Sequence, residues 1–138
     1  MKKVILICGV SGSGKTWVAK QLDPEKFAYI SHDQYRDDLP TVIQAVSETT
    51  TRPVVTECPF GERVLKEKLE KMRLEVIPVF IVEEPSLIAK RYMEREGKAI
   101  GKAPMTRATT IKDRVKEWDA FSGTSKEVLE YLEKGKFK

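Results

Sequence analysis

The chain alternates between short apolar runs and longer stretches with helical spacing. Residues 3–8 are apolar at nearly every position, the pattern of a central parallel strand buried on both faces. Residues 27–31 and 53–57 form two further strand-like runs, the latter with Pro53 at the tolerated first position. Residues 75–82 form a fourth. Pro78 inside it removes a ladder donor, which predicts an edge strand.

Helical spacing fills the intervals. One helix follows residue 16 and ends near Leu22. A helical turn over about 33–38 stops before Pro40, which opens a second helix bearing Val42, Ile43 and Val46. Residues 61–73 carry Val64, Leu65, Leu69 and Met72 on one side. Further helices are predicted over about 85–96 and 106–121, the latter held by Ile111, Val115 and Trp118. A last short one carries Val128, Leu129 and Leu132. Strands alternating with helices predict an α/β fold with four parallel strands in one domain, 1–138.

Between the first strand and first helix stands Gly9-Val10-Ser11-Gly12-Ser13-Gly14-Lys15-Thr16, which meets G-x-x-x-x-G-K-[ST] at every fixed position. Gly9, Gly12 and Gly14 let the backbone turn tightly, so that successive N–H groups, with those of Ser11 and Ser13, point at one phosphate. Lys15 supplies a mobile positive charge for the β- and γ-phosphates, and Thr16 a hydroxyl for Mg²⁺. The helix beginning here turns its positive end toward the anion. The strand-loop-helix context marks a nucleoside triphosphate site.

In open parallel sheets, ligands sit beyond the carboxyl ends of the strands. Asp33 follows the second strand there, placed to take a proton from an incoming hydroxyl. It can equally cap a helix. Arg36 lies three residues on and can face the same site or pair with Asp33 or Asp37. Glu57 ends the third strand, where phosphate-loop proteins keep a carboxylate for Mg²⁺; a purely structural role is the other reading. His32 is the single histidine and suits a solvent-exposed or core role better than chemistry. Arg91 and Arg95 share a helix face before a glycine- and lysine-rich loop, 97–104. They read either as solvated charges or as a lid that carries positive charge to a transferring phosphoryl, with Gly97 and Gly101 as hinges. Lys102 and Arg107 are weaker candidates for that face.

These residues resemble the kinase domain of phage-type polynucleotide 5′-hydroxyl kinase, within the group of small P-loop kinases that includes zeta-toxin-like and adenylate-kinase-like proteins. The resemblance is carried by 9–16, by Ser31-His32-Asp33-Gln34-Tyr35-Arg36, and by Lys90-Arg91-Tyr92-Met93-Glu94-Arg95 with Lys98, Ala99 and Pro104. It implies a three-layer fold with a four-stranded parallel core, helices on its flanks and a small lid at about 91–106. It implies ATP and Mg²⁺, Asp33 as general base, Arg36 positioning acceptor and phosphate, and Arg95 on the triphosphate. Glu57 departs from the family's Asp. No phosphatase region follows, so a double end-healing activity is not expected.

Net charge and cysteines adjust the picture slightly. A formal charge of +4 suits a polyanionic acceptor, so the expected partner is nucleic acid, at a 5′-hydroxyl or a hydroxylated base. The alternatives are a small-molecule nucleoside or nucleotide kinase, an ATP-hydrolysing switch that transfers nothing, and a small toxin-like kinase acting on a sugar nucleotide or cofactor. The short segment between the second and third strands leaves little to enclose a nucleobase, which favours an open-mouthed site. The two cysteines, Cys8 and Cys58, lie at strand ends and read as buried reduced thiols. No apolar run spans a bilayer and no leader-like region precedes the first strand, so a cytoplasmic location and no membrane partner are expected. No feature marks a protein partner. Trp17, Tyr35 and Phe137 could serve core or interface.

Overall fold

The computed structural model describes residues 2–10, 13–31, 41, 44–45, 52–58, 62–99 and 101–137, with backbone alone at 62 and 102–109. In chain order the elements are β1 (Lys3–Cys8), α1 (Lys15–Gln21), β2 (Ala28–Tyr29), β3 (Val54–Cys58), α2 (Glu62–Lys71), β4 (Glu75–Ile81), α3 (Pro85–Glu96), α4 (Lys102–Trp118), β5 (Phe121–Gly123) and α5 (Ser125–Glu133).

The strands form one sheet in the order β2-β3-β1-β4-β5, and every pairing is parallel. β1 is central and its residues Val4 to Cys8 are buried, which explains the unbroken apolar run. Side chains alternate across it. Val4, Leu6 and Cys8 pack with Leu65 and Leu69 of α2, Ile88 of α3 and Ile111 of α4. Ile5 and Ile7 pack with Val18 and Ala19 of α1 and Val128 and Leu132 of α5. Each such aliphatic burial stabilises by about 1.5–3 kcal/mol, so the sandwich of two helical layers fixes the register of the sheet. Phe27 and Phe137 close the second layer with ring centroids 5.9 Å apart, which makes Phe137 a core residue. Cys8 and Cys58 are both buried, as expected, and stand opposite each other in register.

Two sequence expectations need correction. The sheet has five strands among the described residues, not four. β5 was missed because Phe121-Ser122-Gly123 is too short for an alternating pattern and follows α4 after only Asp119 and Ala120. Asp119 makes that brevity possible: it caps α4 in the left-handed region at φ 49°.

β4 is therefore not an edge strand: it lies between β1 and β5. Peptide N–H groups alternate between the two neighbours along a strand. Glu75 N donates to Lys2 O, toward β1, and Val82 N donates to Gly123 O, toward β5. Pro78 thus belongs to the even-numbered set facing β5. That pairing begins only at Val79 opposite Phe121, so the donor that proline lacks has no acceptor waiting.

α3 spans Pro85–Glu96 as predicted and ends on Gly97, whose N–H donates to Met93 O from the left-handed region. α4 begins at Lys102, earlier than expected. Pro104 falls in its first turn, where amides have no intrahelical acceptor. The turn predicted at 33–38 lies outside the described residues. Of the helix predicted from Pro40, Thr41, Gln44 and Ala45 are described and are helical.

Candidate functional site

The loop leaves the buried carboxyl end of β1 and runs straight into α1, so both of its ends are anchored in the core. Ser11 and Gly12 lie outside the described residues; the remainder shows why the sequence is glycine-rich. A Cβ on Gly9 would come within 2.6 Å of Ser13 Oγ and 3.2 Å of Ile81 O. Ser13 N donates to Val10 O at 3.1 Å, closing a tight turn. Gly14 has φ +107°, a left-handed value that disfavours any side chain. Val18 N donates to its carbonyl at 2.9 Å and starts the α1 ladder.

Polar groups converge on this turn. Lys15 Nζ donates to Gly9 O at 2.6 Å, reaching back across the loop. Thr16 is exposed at the head of α1. Ser13 Oγ is buried and has no hydrogen-bond partner among the described residues. A buried hydroxyl with no partner among the described residues and a lysine reaching back across the same turn are the donor types of an anion cradle. These residues fit a polyphosphate.

Glu57 flanks the loop. It stands opposite Ile7 in register and is buried, and its Oε1 accepts from Ser31 Oγ at 3.1 Å. Glu57 shares the α1 face of the sheet with Val55, so strand alternation explains why this carboxylate, and not the neighbouring Thr56, turns toward the loop helix. Ser31 comes two residues before Asp33 in the chain. Asp33, Arg36, His32 and Tyr35 themselves lie outside the described residues.

Arg91 on α3 reaches the loop: one guanidinium nitrogen donates to Ser13 O at 3.2 Å and lies 4.0 Å from Glu83 Oε1. Arg95 is half exposed, with Nε on Glu96 Oε1 at 3.0 Å and its guanidinium 5.5 Å from the Tyr92 ring. The structure therefore brings Gly9, Ser13, Gly14, Lys15 and Arg91 together and sets Glu57 beside them. The side chains of Lys102 and Arg107 are not described. Trp17 is exposed, on α1 just past Thr16.

Sequence reasoning missed two residues of this neighbourhood. Glu83 Oε1 accepts from both the backbone N and the Oγ of Ser125, each at 2.9 Å. Glu83 follows the carboxyl end of β4, and that position was the available signal. Ser125 is the first residue of α5, after Thr124, whose capping box with Glu127 is a sequence signature of a helix start.

A cavity of about 310 Å³ opens beside the loop at the carboxyl ends of the strands, lined in part by Val10, Val82, Glu83, Ile88, Ile111 and Lys112.

No protein-family model matches the chain, and no curated protein does. Solved structures do. A gluconokinase from Sinorhizobium meliloti 1021 superposes with a TM-score of 0.64 at 23% identity, over 93% of this chain and 87% of that one. A shikimate kinase from Acinetobacter baumannii in complex with shikimate gives 0.60 at 15% identity, over 100% and 97%. An uncharacterized protein from Eubacterium ventriosum ATCC 27560 gives 0.56 at 17%, over 97% of each. The likeness is one of fold: this chain shares with these kinases an α/β fold, a parallel sheet flanked by helices.

Proposed function

We propose that the protein is a P-loop phosphotransferase that moves the γ-phosphoryl group of ATP to a hydroxyl of a small molecule. The observation that carries the phosphate-binding half is the cradle itself: Gly9 packed against Ser13 Oγ, with Lys15 across the turn. The acceptor half draws on the two named kinases of like fold, both acting on small molecules, and on the cavity beside Val10, whose volume suits such a ligand.

Bound ATP with Mg²⁺ supplies an activated phosphoryl group. Lys15, Ser13 and the loop amides hold its phosphates. Thr16 and Glu57 hold the metal, and Ser31 orients Glu57. Asp33 takes the proton that the acceptor hydroxyl loses. Arg36 orients acceptor and phosphate, and Arg95 brings positive charge from the segment before Gly97. A nucleic-acid acceptor, which the net charge of +4 favours, is the second reading.

The test is transfer of label from γ-labelled ATP to a panel of sugar acids and polyols, hydroxylated ring acids, nucleosides, nucleoside monophosphates, and 5′-hydroxyl DNA and RNA. Label on small molecules alone is the expected result. Label on 5′-hydroxyl strands alone overturns the small-molecule acceptor and keeps the phosphotransferase. ATP hydrolysis that no acceptor in the panel affects replaces it with a hydrolysing switch.

A further inference from the structure

We propose that Glu83 is a positioning residue for the phosphate-binding loop, acting through Arg91 and Ser125 on the Ser13–Gly14 peptide. The inference rests on the nucleotide-binding reading above.

The Glu83 side chain is only 7% exposed, and a carboxylate so buried must be compensated. A single oxygen, Oε1, takes both hydrogen bonds from Ser125 and faces the Arg91 guanidinium. Ser125 is thereby drawn against the loop: a Cβ placed on Gly14 would lie 3.1 Å from the Ser125 Cβ and 3.8 Å from an Arg91 guanidinium nitrogen. Three elements distant in sequence meet at one peptide: the end of β4, the middle of α3 and the start of α5.

That peptide has a directional task. In a trans peptide the C=O of one residue and the N–H of the next point in opposite directions. Arg91 binds Ser13 O, so the Gly14 N–H is turned away from Arg91. A glycine-rich loop can rotate such a peptide and present a carbonyl where an anion needs a donor. Gly14, at φ +107°, has no side chain to resist that rotation. Holding Ser13 O from behind removes the repulsive orientation before nucleotide arrives, and this preorganisation lowers the cost of binding. Arg91 on this view braces the loop from behind, and Glu83 holds Arg91 to it.

The experiment compares wild type, Glu83→Gln and Ser125→Ala by three readouts. These are Mg-ATP affinity by calorimetry, the ¹H–¹⁵N signal of the Gly14 amide in ligand-free protein, and melting temperature. Gln can still accept from Ser125 but has no charge for Arg91. Glu83→Gln is expected to weaken Mg-ATP binding about tenfold and to shift the Gly14 amide signal, with little change in melting temperature. Ser125→Ala keeps the backbone donor and is expected to weaken binding about two- to threefold. Folded Glu83→Gln protein with wild-type affinity and an unmoved Gly14 signal overturns the proposal. A fall in melting temperature at wild-type affinity overturns it too, since Glu83 is then only a tie for α5. Failure of the kinase reading appears elsewhere, in the wild type. Binding without transfer leaves the affinity ratio to decide the role of Glu83, whereas a wild type without affinity for ATP overturns both.

Discussion

Lys15 Nζ and the Gly9 carbonyl oxygen lie 2.6 Å apart, joining the last turn of the loop to its first residue. A bound phosphate would draw the ammonium from a neutral carbonyl to a charged group, a stronger acceptor. Lys15→Met is therefore expected to cut phosphoryl transfer by about 10²–10³ or more while leaving the fold intact. Turnover in the transfer assay and a melting curve check it together; near-wild-type turnover contradicts the role.

The contact between Gly9 and Ser13 makes a paired test. Gly9→Ala would set a methyl 2.6 Å from Ser13 Oγ, and the loop must shift to relieve it. The expected cost is about 1–3 kcal/mol, together with weakened nucleotide binding. Adding Ser13→Ala removes that oxygen and leaves the Ser13 Cβ at an ordinary 3.4 Å, so stability should partly return. A double-mutant cycle by denaturant unfolding measures the coupling; additive losses would mean the clash is not the cause.

Thr56 carries a buried hydroxyl that no described residue engages. It is fully buried in β3 opposite Leu6, and Oγ1 has no hydrogen-bond partner among the described residues. Valine keeps the branched shape and drops the desolvated oxygen. Thr56→Val is expected to stabilise the protein by about 1 kcal/mol, or about 3 °C in melting temperature. Scanning calorimetry decides; a less stable variant would assign that hydroxyl a hidden partner.

The Arg63–Glu117 ion pair, 2.6 Å long, ties α2 to α4. The hydrogen bond from Arg63 holds the Glu117 carboxyl below the usual glutamate range, aided by the charges of Arg63 and Arg114. A carboxyl depressed by folding stabilises the native state above its unfolded pKa, and that benefit disappears as pH falls through the folded value. Both partners are about half exposed, so the benefit is small. Wild type should melt slightly above Glu117→Gln at pH 7, and the gap should close as pH falls below the usual glutamate range. A gap that widens toward acid would reverse the sign argued here.

The central strand, the loop and α3 were legible in the chain because each is governed by neighbouring residues. β1 announces itself by an unbroken apolar run, and α3 by Pro85 at its start and Gly97 at its end. What escaped depends on partners distant in sequence. β5 is a strand because β4 offers it hydrogen bonds, not because Phe121-Ser122-Gly123 has strand character. Pro78 misled for the same reason: a missing donor matters only where a neighbour would accept, and that neighbour starts one residue later. Glu83 and Ser125 are 42 residues apart and belong to no common motif, so only the folded chain makes them one cluster.

The position of β1 has a consequence for how the site fails. It has hydrogen-bonded neighbours on both edges and a helical layer on each face. Fraying of β2 or β5, the outermost strands, leaves β1 paired to β3 and β4. Its amides should therefore exchange with solvent water only through global unfolding, while those of the outer strands exchange through local opening. The loop rooted there cannot be lost piecemeal: its anchor persists through every partial opening of the sheet edges and vanishes only with the whole domain.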